Sequence, residues 1–87
     1  MDAVWLDVSG TMALTGNFHP FTEIKCDPPE PVPTEPGQWQ RWATGQLARV
    51  AAYESWQPGR YAYVAARRDD NGHPVEVFTR GQWEYVR

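Results

Sequence analysis

One stretch of this chain is long enough and periodic enough to be a helix, and the other segments have to be organised around it. Between Thr34 and Gly59, Trp39, Trp42, Ala43, Leu47, Val50 and Tyr53 recur at spacings of three and four, which puts them on one stripe. Gln38, Arg41, Thr44, Arg49, Ala52 and Ser55 fall on the other side. Thr34 or Glu35 serves as the cap, Pro36 sits in the first turn where a missing N–H costs nothing, and Pro58-Gly59 stops the helix. Gly45 is a fault in this pattern, costing about 1 kcal/mol relative to alanine. It predicts a kink, or a place where another backbone approaches closely.

The segments on either side read as strands. Ala3 to Val8 alternates, with Val4, Leu6 and Val8 on one face and Trp5 and Asp7 on the other. Ser9-Gly10 signals a turn, and Thr11 to Thr15 alternates again, so the pair reads as a hairpin. Phe18 to Cys26 is extended, and Pro20 within it marks an edge strand. Residues 27–36, Asp-Pro-Pro-Glu-Pro-Val-Pro-Thr-Glu-Pro, form a stiff polyproline-type strap that carries the chain to the helix.

After the helix, Tyr61, Tyr63 and Ala65 alternate with Ala62, Val64 and Ala66. Asp69-Asp70-Asn71-Gly72 follows, and Asn-Gly between two β-rich runs is the strongest hairpin signal in the chain. Pro74 to Thr79, a turn at Arg80-Gly81 and Trp83 to Val86 complete a three-stranded meander. The expectation is therefore a single α+β domain over residues 1–87: one central helix packed on an antiparallel sheet of about five to six strands.

In 87 residues the core is small and has to be built from bulky side chains. Five Trp, four Tyr and three Phe supply that bulk, and Trp5, Trp42 and Trp83 are expected to fill the core. Trp39 and Trp42 cannot both point straight into so small a core while Trp56 lies about 60° off the same stripe, so Trp39 or Trp56 is expected to be part exposed. The single cysteine, Cys26, excludes an internal disulfide and suits a reducing compartment. No signal peptide or membrane span is evident, so the expected setting is cytoplasmic.

Charge is divided along the chain. Residues 1–36 carry six acids against Lys25 alone, whereas residues 37–87 carry seven Arg against five acids. A molecule with separated signs can steer a partner or mimic a polyanion on one face; the competing reading is an ordinary solvated surface.

Residues with catalytic or ligating chemistry are scattered. A metal site needs several ligands converging, and His19, His73 and Cys26 each stand alone in their segments, so no metal and no cofactor is expected. His19 and Glu23 share a strand face but lie roughly 13 Å apart, with Cys26 on the opposite face. Asp69 and Asp70 are explained by their turn. No acid-base pair emerges, and the chain is not expected to be an enzyme.

Binding is better supported. Tyr61 and Tyr63 flanked by Arg60, Arg67 and Arg68 have the ingredients of a single-stranded nucleic-acid platform, against which stand the net acidity of the chain and the competing reading that the tyrosines pack beneath the helix while the arginines pair across the hairpin. Lys25 to Pro31 has the form of a proline ligand, although its acids weaken the match. Tryptophan and arginine are the residues most enriched at interface hot spots, which makes Trp39, Trp56 and Arg41 candidate anchors, with Asp27, Glu30 and Glu35 meeting a basic groove.

No motif matches a family closely enough to name one. In size, acidity and lack of catalytic groups, the chain resembles the small inhibitors that phages and mobile elements make against host defences, anti-CRISPR proteins among them. What this implies is a non-enzymatic module that occludes a larger protein or nucleoprotein complex. Two further expectations are a small subunit of a larger assembly, and a homodimer formed through an edge strand such as Phe18 to Cys26.

Overall fold

The computed structural model describes residues 1–10 and 22–86. In chain order the elements are β1 (Val4–Gly10), β2 (Thr22–Cys26), α1 (Pro36–Glu54), β3 (Gly59–Arg68) and β4 (Pro74–Tyr85). The four strands form one antiparallel sheet in the order β2-β1-β3-β4, and α1 lies on one of its faces. The α+β expectation holds, with four strands among the described residues in place of five or six. Two features account for the difference. The expected strand at Thr11 to Thr15 lies outside the described residues. The C-terminal meander is a hairpin whose second limb runs on through Arg80-Gly81, where a turn was expected, because Gly81 stays in register opposite Tyr63.

Ser9-Gly10 likewise continues β1 instead of turning, since both residues pair with Ala62 and Tyr61 of β3. Strand alternation decides which side of the sheet is dry. Val4, Leu6 and Val8 are fully buried towards the helix, opposite Cys26, Ile24 and Thr22 on one side and, for Leu6 and Val8, Ala65 and Tyr63 on the other. Trp5 and Asp7 point to the opposite face. The described part of the expected edge strand, β2, is indeed at the edge.

The helix begins at Pro36 with Glu35 as N-cap in extended geometry, and Gln38 reaches back to accept from the backbone N–H groups of Thr34 and Glu35. It ends sooner than expected, at Glu54. Ser55 adopts the left-handed conformation, and the Trp56 N–H donates to the Ala51 carbonyl. That reversal throws Trp56 back against Tyr61, with ring centroids 5.1 Å apart.

The buried helical positions are Trp39, Ala43, Leu47 and Ala51, each four residues after the last. Trp42 and Val50 pack at their margin. Tyr53, expected on the stripe, is 87% exposed. Ala51 and Tyr53 are two residues apart, about 200° around a helix, so the choice of Ala51 as the last contact turns Tyr53 to solvent. Gly45 is exposed, and a β-carbon there would meet nothing within 4 Å, so no backbone approaches it.

The Asn71-Gly72 hairpin forms where expected. Asp69 accepts from the backbone N–H groups of Asn71 and His73 at 2.9 Å each, and Gly72 takes positive φ.

Candidate functional site

The face of the sheet away from the helix carries a charged cluster built from three strands. Arg68, at the end of β3, lies with its guanidinium carbon 4.0 Å from the centroid of the Trp5 ring. Its Nη2 donates to Asp7 Oδ1 at 2.6 Å and to Glu23 Oε1 at 2.7 Å. One arginine thereby ties β3 to β1 and β2. Burial works against the charge on Arg68, but its hydrogen bond to Glu23 and the neighbouring Asp7 outweigh it and hold the group above its ordinary value. Arg67 points elsewhere and pairs with Glu76 across the hairpin at 3.4 Å, with both side chains exposed.

These contacts bear directly on the nucleic-acid reading. Tyr61 is 3% exposed and Tyr63 2%, so neither ring offers a face on which a base could stack. Tyr61 instead donates its hydroxyl to the Gln57 carbonyl at 2.6 Å, and it packs between Trp56 and Trp83. The tyrosines do pack beneath the helix, as the competing reading had it. The arginine pairing is only partly as expected: Glu76 takes Arg67, but Asp7 and Glu23, from the far end of the chain, take Arg68.

The proposed hydrophobic anchors are also relocated. Trp39 and Trp56 are each 5% exposed, so the expected part-exposed indole is found at neither position. Trp39 stacks on Phe78 at 4.2 Å, and Trp42 meets its edge. The core has room for both because Ala43, Ala51 and Ala65 take up so little of it. Trp5, Trp42 and Trp83, expected in the core, are the half-buried ones. Arg41 is exposed on the helix.

Asp27, Glu30 and Glu35 all lie exposed on the strap between β2 and α1, and none forms an ion pair with another described residue. At the adjoining end of the sheet, Met1, Asp2, Ala3, Lys25, Arg67, Arg68, Asp69 and Asp70 line an open depression of about 500 Å³. Its charges are of both signs, and Arg67 and Arg68 are already paired.

Of the residues weighed for catalysis, Glu23 is held by Arg68, while His73 is exposed in the hairpin loop with Nδ1 3.9 Å from Asp69 Oδ2. Cys26 is buried on the helix side, and burial, reinforced by Asp27 and opposed by Arg49, pushes its thiol up. His19 lies outside the described residues. Among the described residues no three His, Cys, Asp or Glu side chains are placed to hold a metal ion, and no helix is long and apolar enough to cross a membrane.

Compared with protein-family models, curated proteins and solved structures, the chain matches none.

Proposed function

We propose that this protein is a non-enzymatic binding module that sets an acidic surface into a basic groove of a larger protein or nucleoprotein complex, and so keeps nucleic acid out of it. This is the mode of action implied by its resemblance to phage-type inhibitors of host defence. The observation that supports the reading is the grouping of exposed acids on the strap, set against the two arginines on which the nucleic-acid alternative depends. The strap acids Asp27, Glu30 and Glu35 are exposed and outside any ion pair with described residues, whereas Arg67 and Arg68 are already engaged by carboxylates. Charge left uncompensated on a surface steers association and selects a partner of opposite sign. The strap is anchored at both ends, by β2 and by the capped start of α1, so less ordering entropy is lost on docking than for a free tail.

The test is capture from a lysate of the source cells by the tagged protein, with and without nuclease. The expected result is one basic protein retained in stoichiometric amount, unaffected by nuclease, displaced by added single-stranded DNA and lost when Glu30→Lys and Glu35→Lys are combined. Retained material that vanishes with nuclease, or capture indifferent to those two reversals, would overturn the proposal. In the first of these outcomes Arg67→Glu becomes the next variant, since Arg67 is the exposed member of the basic pair.

A further inference from the structure

The two edges of the sheet are not equally guarded. β2 is five residues long, carries exposed Glu23 and Lys25, and runs directly into Asp27-Pro28-Pro29, whose prolines cannot extend a ladder. β4 is twelve residues long and has two distinct parts. Its first part starts at Pro74, and its pairing with β3 is interrupted by register shifts at Ala65/Ala66 and Arg67/Arg68. Such irregularities discourage a further strand from adding. From Thr79 to Tyr85, by contrast, the register against β3 is unbroken and no proline intervenes. Among the described residues no strand lies on its outer side.

We propose that this outer edge of β4, Thr79 to Tyr85, is a pairing surface for a second copy of the same chain, centred on Gln82. Antiparallel strands related by a two-fold axis place each residue opposite its mirror position about the centre. With Gln82 at the centre, Arg80 of each copy faces Glu84 of the other on the open side of the sheet, giving two opposite-charge pairs by symmetry. Gln82 faces Gln82, whose amide both donates and accepts. On the helix side, Trp83 faces Gly81, the one position in the row without a side chain, and Thr79 faces Tyr85. The neighbouring registers, centred on Gly81 or Trp83, set neither Arg80 nor Glu84 against an opposite charge, and the one centred on Arg80 would set Arg80 against Arg80 and Glu84 against Glu76. Charge therefore selects the Gln82 register. The product is a continuous sheet that joins the four described strands of each copy, with both helices on the same face.

Sedimentation equilibrium decides the matter, run on the wild-type chain, Arg80→Glu, Glu84→Arg and the double variant. Both side chains are exposed, and circular dichroism checks that each variant keeps its fold. The expected result is a concentration-dependent dimer, weakened on the order of 10- to 100-fold by either single reversal, since two pairs become repulsive at once, and restored in the double variant where the charges are exchanged. Amide exchange over Thr79 to Tyr85 should slow with rising concentration in the wild type and not in Arg80→Glu. A monomer at all concentrations up to about 1 mM, or a dimer of equal strength in all four proteins, would overturn the proposal.

Discussion

Gly81 and Tyr63 face one another across β3 and β4, and the consequence of filling that gap can be worked out from distances. A β-carbon built on Gly81 would lie 3.2 Å from Tyr63 Oη, 3.5 Å from Cζ and 3.6 Å from Cε1. The hydroxyl is the tight contact; the ring carbons are at ordinary separation. Tyr63 is among the most completely buried side chains, so it cannot swing aside. Its Oη has no hydrogen-bond partner among the described residues. Gly81→Ala gains about 0.5–1 kcal/mol from restricting the unfolded chain but forces an overpacked contact costing about 1–3 kcal/mol. The net expectation is a loss of about 1 kcal/mol.

In a Tyr63→Phe background the offending atom is gone. The same alanine should then stabilise by about 0.5 kcal/mol, a coupling of about 1.5 kcal/mol between the two sites. Tyr63→Phe alone should be neutral or stabilising by up to about 1 kcal/mol, because it removes a buried unpaired hydroxyl. Urea unfolding of all four proteins, each also carrying Arg80→Glu so that association does not contribute, measures the cycle. Each kcal/mol corresponds to roughly 4–8 °C in thermal midpoint for a chain of this size. If the effect of Gly81→Ala is the same with and without the hydroxyl, the steric argument is wrong.

Four other outcomes are expected. Arg68→Leu should cost about 1–3 kcal/mol, below the figure for a fully buried pair because Glu23 is partly solvated, and Arg68→Lys should recover only part of it, since an ammonium neither stacks on Trp5 nor spans two carboxylates as the guanidinium does; urea midpoints read both. Trp39→Ala should cost about 3–5 kcal/mol and Tyr53→Ala less than about 0.5 kcal/mol, a contrast that thermal melts resolve and that would be reversed if the helix were rotated. Gly45→Ala should stabilise by about 1 kcal/mol, since the site is helical, exposed and empty around the missing β-carbon. Stability should fall as pH rises above about 9, because burial raises Cys26, Tyr61 and Tyr63 above their ordinary values of 9.0 and 10.0. The folded state then holds protons that the unfolded chain would release, so the stabilisation is complete below the ordinary values and is lost as pH climbs through the raised ones. Denaturant titrations at pH 7, 9 and 10.5 test the sign; for Tyr63, Thr79 offsets part of the shift without reaching hydrogen-bond geometry.

What could be read from the residues alone was whatever depends on neighbours in sequence. The alternation of Val4, Leu6 and Val8 with Trp5 and Asp7 sorts β1 into a dry and a wet face before any partner is known. Glu35 and Pro36 mark the start of α1, and Asn71-Gly72 the hairpin, because caps and turns are satisfied by atoms a few residues away. The exposure of Asp27, Glu30 and Glu35 also follows locally, from acids set among prolines that cannot join a sheet. The acidic half of the candidate surface was thus visible in advance.

What the residues alone could not settle are the facts that depend on register between distant segments. Arg68 meets Asp7 and Glu23 only because β3 pairs with β1 and β1 with β2 in one particular alignment, so the apparently free base of a nucleic-acid platform is already neutralised. Trp56 looked like a late helical position, but a left-handed Ser55 turned it into the core, where Tyr61 waits at the start of the next strand. Trp39 and Trp42 competed for one stripe until Phe78, released from strict alternation by the irregular pairing near Ala65 and Ala66, supplied a second aromatic surface against the helix. Local chemistry chooses the elements and their faces, whereas which charges are paired and which stay exposed is decided when the strands find their register.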